Sequence, residues 1–347
     1  MKIGFFNYYE IYNNNEMFVT TDAPIGDDLL YPTVYLAGYL KKRGHQVSTI
    51  DTDKIENFDA IVFMDFPTFQ NTYFIQLIKL GFKNLYLIIN ESEIIRPDNW
   101  DIKNHQYFKK VFTWHDNFVD NKKYIKMNFS LKIPEKLDLG LSKKNKLCTM
   151  IVGNKFVKHP LELYSERRKV IEYFEKNHPE DFDLYGFGWD RHFFYGYLKR
   201  LNRFESFCRL LKPRYKIYKG SVKSKREVLQ KYKFVICYEN ARDLPGYITE
   251  KIFDCFFAGC VPIYLGAPNI TDYIPENTFI DKRNFKKYEE LYSYIKNMPE
   301  SEYVQYLDAI KNFVLSDKIY PFSAECFAET LVREILEEDR NLCQIDC

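Results

Sequence analysis

The chain has 347 residues, 46% hydrophobic and 18% aromatic, which supplies apolar material for two domains with full-sized cores. Lys and Arg number 50 against 48 Asp and Glu, a formal charge of +2, so overall charge does not call for a nucleic-acid partner. The opening MKIGFFNYYEIYNNNE lacks the apolar core of a signal peptide, and no run of about 18 apolar residues could span a bilayer.

In chain order, residues 2–7 read as a strand and 32–43 as a helix with apolar Val34, Leu36 and Leu40, ended by Gly44. Strands follow at 46–50 and 59–64, a helix at 70–81, and strands at 84–89, 110–114 and 124–128. This alternation calls for parallel sheets. A G-x-G-x-x-G loop is missing, which speaks against a dinucleotide oxidoreductase. Residues 134–146, rich in Lys, Gly and Ser, read as a linker. A strand at 148–152, a helix at 163–176 and a strand at 182–186 restart the pattern. The expected division is an N-terminal Rossmann-like domain over 1–133, a second over 147–322, and a C-terminal helix in 323–347 packing back on the first.

The eight cysteines (148, 208, 237, 255, 260, 326, 343 and 347) form no CxxC pair, and they read as thiols in a reducing cytosol. From Lys199 to Lys233 there are 13 Lys/Arg against Glu205 and Glu227. Phe194, Leu198, Leu201, Phe204, Cys208 and Leu211 recur there at three- or four-residue spacing, the pattern of a basic amphipathic helix. Its apolar face either packs on the second domain or attaches segment 194–233 to an anionic membrane surface. No RNA- or DNA-binding motif accompanies it.

The most informative stretch runs from Tyr232 to Gly266. An apolar strand ends in Glu239-Asn240, a polar loop turns at Pro245-Gly246, and Thr249-Glu250-Lys251 opens an apolar helix. That helix closes at Ala258-Gly259 before the strand Val261-Pro262-Ile263-Tyr264. In such a βαβ unit ligands bind beyond the carboxyl ends of the strands. Thr249 is placed to cap the helix, and a helix N-terminus bearing a Lys suits phosphate. Glu250 can accept hydrogen bonds from sugar hydroxyls. Lys223 and Lys225, in GSVKSKREVL, either add charge near that phosphate or sit as a solvated helix start.

This stretch resembles the alpha-1,3/1,4-fucosyltransferases, inverting enzymes that use GDP-fucose. The matching residues are Tyr232-Lys233-Phe234, Glu239-Asn240, Tyr247-Ile248-Thr249-Glu250-Lys251, Ala258-Gly259, Val261-Pro262-Ile263 and Gly266, with Arg167, Tyr185-Gly186 and Gly220-Ser221-Val222 upstream in the same order. The likeness is strong over 147–282 and looser before it. It implies a GT-B architecture, two Rossmann-like domains facing across a cleft. It implies a glycan acceptor containing N-acetylglucosamine, fucosylated at O3, in a surface polysaccharide or an oligosaccharide. Animal relatives carry an N-terminal membrane helix that this chain lacks, so a cytoplasmic protein is expected, in peripheral contact with the inner membrane face if segment 194–233 attaches there.

Such a transfer needs a carboxylate to take the acceptor proton and cations to neutralise departing GDP. The resemblance points to Glu91, after the strand in LYLIINESEIIRP, as the base, with Glu93 as the other candidate. It points to Lys251 and Arg167 as the cations, with Arg168 lying about 100° round the helix. It further implies that Glu250 and Tyr247 bind the ribose or fucose and that Asn240 contacts the donor. No metal constellation stands out among the six histidines, and Asp51 and Asp53 read as a strand-end turn. The expected donor is GDP-fucose with no essential cofactor, a divalent metal being at most stimulatory. Another nucleotide-sugar donor on the same fold, or a non-catalytic glycan- or membrane-binding protein, are the competing readings.

Overall fold

The computed structural model describes residues 1–21, 26–192, 194, 196–211 and 215–336. Cys343, Cys347, Lys212 and Arg214 therefore lie outside the described residues, as does the end of the 323–347 segment. The first half comprises β1 (Lys2–Phe6), α1 (Tyr31–Lys42), β2 (Gln46–Thr49), β3 (Ala60–Met64), α2 (Thr72–Lys79), β4 (Leu85–Ile89), β5 (Lys110–Thr113) and β6 (Tyr124–Lys126). Its strands form one sheet in the order β2-β1-β3-β4-β5-β6, each neighbour parallel.

The strand period of two divides the apolar side chains between the faces of this sheet. Ile3, Phe5, Ala60, Val62, Tyr86 and Ile88 pack with Leu36 and Leu40 of α1. Ile61, Phe63, Leu85, Leu87 and Ile89 pack on the other face with Phe74 and Leu77 of α2. Burial on both faces is why these strands read as continuous apolar runs.

The second half comprises β7 (Lys146–Ile151), α3 (Tyr164–Asn177), β8 (Phe182–Tyr185), α4 (Glu205–Leu210), α5 (Lys225–Leu229), β9 (Tyr232–Tyr238), α6 (Glu250–Phe257), β10 (Val261–Leu265), β11 (Ile280–Asp281), α7 (Tyr288–Asn297), α8 (Glu300–Val314) and α9 (Ala324–Leu336). Its sheet is again parallel, in the order β11-β10-β9-β7-β8. Gly259 ends α6 with φ +67°, and an added Cβ would stand 2.3 Å from the Leu139 carbonyl oxygen, so the linker's path over this helix end requires glycine. The last helix returns to the first domain. Phe327, Leu331 and Ile335 of α9 join the core of Phe5 and Leu40, and Lys110 Nζ lies 2.6 Å from the buried Glu334 carboxylate.

The basic segment departs from a continuous amphipathic helix packed on the second domain. It forms a 3-10 helix over Gly196–Arg203 followed by the short α4. Asn202 bonds the backbone of Phe194 through both its amide groups, at 2.8 and 2.9 Å. The three-residue turn of the 3-10 helix then rotates the stripe out of register. Cys208 is buried, whereas Leu198, Phe204 and Leu211 face solvent.

In each sheet the chain reverses its direction of progress beside the first strand, between β1 and β3 and between β7 and β9. Crevices at the carboxyl ends arise at such points. The two carboxyl edges are held together by an apolar cluster of Ile94 and Trp114 with Tyr164, Ala241, Leu244 and Tyr247. Beside it Asp116 accepts hydrogen bonds from Asn269 Nδ2 (2.8 Å) and Tyr273 Oη (2.5 Å), and pairs with Lys126 at 2.5 Å. Gly246 completes the joint. Its φ is +79°, and a Cβ there would stand 2.3 Å from the Trp114 carbonyl oxygen. Among the described residues no helix is long and apolar enough to cross a membrane.

Candidate active site

Glu239 follows β9 and is fully buried. Its carboxylate accepts the Thr249 N–H at 2.9 Å and the Thr249 hydroxyl at 2.7 Å, and Lys251 Nζ lies 3.2 Å away. Thr249 occupies the N-cap position of α6, yet its side chain does not cap the helix. The expected cap is thus corrected: the hydroxyl is drawn to the buried Glu239 carboxylate, which offers it a charge-assisted bond. That same hydroxyl accepts from Lys251 Nζ at 2.9 Å.

Lys251 also lies 3.6 Å from Glu250, and Lys225 stands 3.9 Å from Glu250 and 2.8 Å from Asp254. Burial alone would lower the Lys251 pKa, but Glu239 and Glu250 outweigh it and hold the ammonium well above its ordinary value. Burial likewise pushes the Glu250 carboxyl up, and Lys251 with Lys225 more than offset that, leaving it at about 2. Lys225 is therefore a partner of α6 and not a solvated helix start. Lys223 and Lys225 line a cavity of about 150 Å³ with Gly153, Gly186, Phe187 and Val222, at the carboxyl ends of β7 and β8. Asp27 of the first domain closes its rim by accepting from Ser224 Oγ (3.1 Å) and the Arg226 N–H (3.0 Å).

Arg167, on the buried face of α3, reaches the carboxyl end of β9. One guanidinium nitrogen donates to the Tyr238 carbonyl at 2.6 Å and to Asn240 Oδ1 at 3.1 Å, and the group sits 5.0 Å from the Tyr164 ring centroid. Its Nε is buried with no hydrogen-bond partner among the described residues. Arg168 points elsewhere, to Asn154 Oδ1 at 3.0 Å. Tyr247 has only 2% of its surface exposed, its ring centroid 4.6 Å from that of Trp114. It packs between the domains, a role its motif did not announce.

Across the cleft, Glu91 is held by its backbone. Asp65, at φ +65°, accepts from the N–H groups of Asn90 (2.8 Å) and Glu91 (3.1 Å) and from Asn99 Nδ2 (2.7 Å). The Glu91 carbonyl accepts from Asn99 Nδ2 (3.2 Å) and Trp100 Nε1 (3.1 Å). Its carboxylate makes no hydrogen bond among the described residues. Burial and the Asp65 charge raise its pKa, while Lys251 pulls it down, so groups of both domains share one field. Glu93 is placed differently, 3.8 Å from His159 Nε2.

The motif pointed to Glu239 without its role, which an acid ending a buried strand signals. Asp65, Asn99 and Trp114 were missed, since nothing local ties them to Glu91 or Tyr247. Among the described residues no group of three or more His, Cys, Asp or Glu could hold a metal ion. Asp51 accepts from the Asn14 N–H and Asp53 from the Lys54 N–H.

Two parallel α/β domains whose carboxyl edges face each other define the GT-B class of glycosyltransferase folds. An alpha1,3-fucosyltransferase structure aligns over 97% of this chain and 90% of its own, with TM-score 0.58 at 17% identity. A DNA-modifying beta-glucosyltransferase aligns over 97% and 100%, with TM-score 0.53 at 11% identity. Residues 141–330 match the model of glycosyltransferase family 10 (fucosyltransferase), C-terminal part, and the chain belongs to this family. An alpha-(1,3)-fucosyltransferase of Helicobacter pylori is 34% identical over 123 residues, 34% of this chain and 26% of that protein. An alpha-(1,4)-fucosyltransferase of Arabidopsis thaliana is 42% identical over 67 residues, 19% of this chain and 16% of that protein. The matched stretch thus spans about a quarter or less of these relatives' length.

Proposed function

We propose that the protein transfers fucose from GDP-fucose, with inversion, to O3 of N-acetylglucosamine in a glycan acceptor. Glu91 takes the proton of the acceptor hydroxyl as its oxygen bonds to the anomeric carbon. The bond from that carbon to the β-phosphate oxygen breaks, and its electron pair leaves with GDP. Lys251 neutralises the growing charge, Lys225 and Lys223 extend the positive field toward the cavity, and the α6 N-terminus supplies N–H groups. Arg167 contributes through its unpartnered Nε, and Asn240 orients it. Glu250 binds donor hydroxyls, and Tyr247 supports it from beneath. No metal is essential to this reading, because side-chain cations and a helix end supply the charge.

The observation that carries the proposal is Lys251, ionised between Glu239 and Glu250 at the carboxyl edge of one sheet and within the field of Glu91 on the other. The test is incubation with GDP-fucose and N-acetyllactosamine, with the product linkage read by NMR. Fucose alpha-linked at O3 is expected. Consumption of another nucleotide sugar with GDP-fucose left intact would overturn the donor, and a different linkage would overturn the acceptor position.

A further inference from the structure

The hairpin over residues 196–211 presents a surface that the transfer reaction does not use. Tyr197 is 105% exposed, Leu198 57%, Phe204 50%, Phe207 44%, Leu210 81% and Leu211 45%. Six large apolar side chains within 15 consecutive residues are not the scattered exposure ordinary for a soluble surface. The segment is nonetheless anchored. Cys208 is buried beneath it, and Asn202 clamps it to Phe194.

Its charge selects the partner. Arg200, Arg203 and Arg209 are exposed along the hairpin, with Glu205 the one acid between residues 196 and 211. Glu205 pairs with Arg191 at 3.1 Å and lies 3.7 Å from Arg209, whereas Arg200 and Arg203 form no ion pair among the described residues. Cationic groups interleaved with exposed Leu, Phe and Tyr match the interface of a bilayer carrying negative headgroups. A nucleic acid would satisfy the arginines and leave the leucines in water; a second copy of the chain would bring the same positive charge against itself. We infer that this hairpin docks the protein on anionic lipid. In sequence it follows β8, whose end lines the cavity at Gly186 and Phe187, and none of its own residues lines that cavity.

The test is co-sedimentation of the full chain with phosphatidylcholine vesicles, with and without phosphatidylglycerol. Binding is expected only with phosphatidylglycerol and should weaken as salt rises. A Leu198→Glu, Phe204→Glu, Leu210→Glu variant should partition about tenfold less, as should Arg200→Glu with Arg203→Glu. Both should keep a cooperative thermal transition, and neither touches the site, so nucleotide binding is unchanged whichever donor proves correct. Equal sedimentation with neutral vesicles, wild-type partitioning by either variant, retention on single-stranded RNA in place of vesicles, or a dimer abolished by the apolar variant would each overturn the inference.

Discussion

The carboxyl edges of the two sheets hold their functional groups by opposite means. At the second sheet, Glu239, Thr249, Glu250 and Lys251 belong to one strand–loop–helix unit and fix one another through their side chains. At the first, Glu91 is fixed through its peptide groups by Asp65, Asn99 and Trp100, and its carboxylate makes no hydrogen bond among the described residues. The chemistry accounts for the contrast. A cation waiting for a phosphate must be paired meanwhile, because a buried charge without a partner is costly. A base must keep its lone pairs free, so the protein holds its backbone instead. One edge is therefore encoded within a single strand–loop–helix unit, and the other also needs Asp65, which reaches Glu91 from a different strand end 26 positions away.

Substitutions at the two edges should separate these roles, and the largest effect belongs to the base. Glu91→Gln should lower turnover by about 10²–10⁴-fold while leaving the GDP-fucose Kd, measured calorimetrically, unchanged. Retained activity would transfer the role to Glu93. Lys251→Ala should cost about 10²–10³-fold in turnover and, unlike Glu91→Gln, should also weaken GDP binding. Loss of turnover with normal GDP affinity would mean that Lys251 does not face the donor. Gly246→Ala tests the joint between the edges. Forcing a side chain into that left-handed turn should destabilise the protein by about 1–3 kcal/mol, seen as a lower Tm with the titration behaviour intact. The smallest effect is in pH. Glu91 must be ionised to act and its pKa is raised, so kcat/KM should fall on acidification through a limb above the ordinary 4.5. Asp65→Asn removes one cause of that rise and should move the limb to lower pH; an unmoved limb would assign it to another group.

The same contrast explains what the sequence disclosed. Strand positions followed from runs such as LYLII and YKFVICY, which are apolar because both faces of each sheet are covered. The Thr249-Glu250-Lys251 unit was legible because its parts lie side by side. The Thr249 hydroxyl's partner was not, since helix-capping rules weigh near neighbours and the competing Glu239 stands ten residues away. Asp65 gave no local signal because its partners are 25 to 34 positions distant in the chain, and Asn99 gave none because its bond to Glu91, eight positions back, goes to a backbone carbonyl that no residue type announces. The segment 196–211 misled a 3.6-residue period because its first half winds as a 3-10 helix, clamped to Phe194 by Asn202.

The most direct measurement is thermal stabilisation by GDP, GDP-fucose, GDP-mannose, UDP-galactose and UDP-N-acetylglucosamine. A ligand at about 100 times its Kd adds roughly 2.7 kcal/mol of stability, an easily read shift. Stabilisation by GDP and GDP-fucose, weakened by Lys251→Ala and kept by Glu91→Gln, is the expected result. No shift with any guanosine ligand would contradict the assignment of the Lys251 cluster as the donor site.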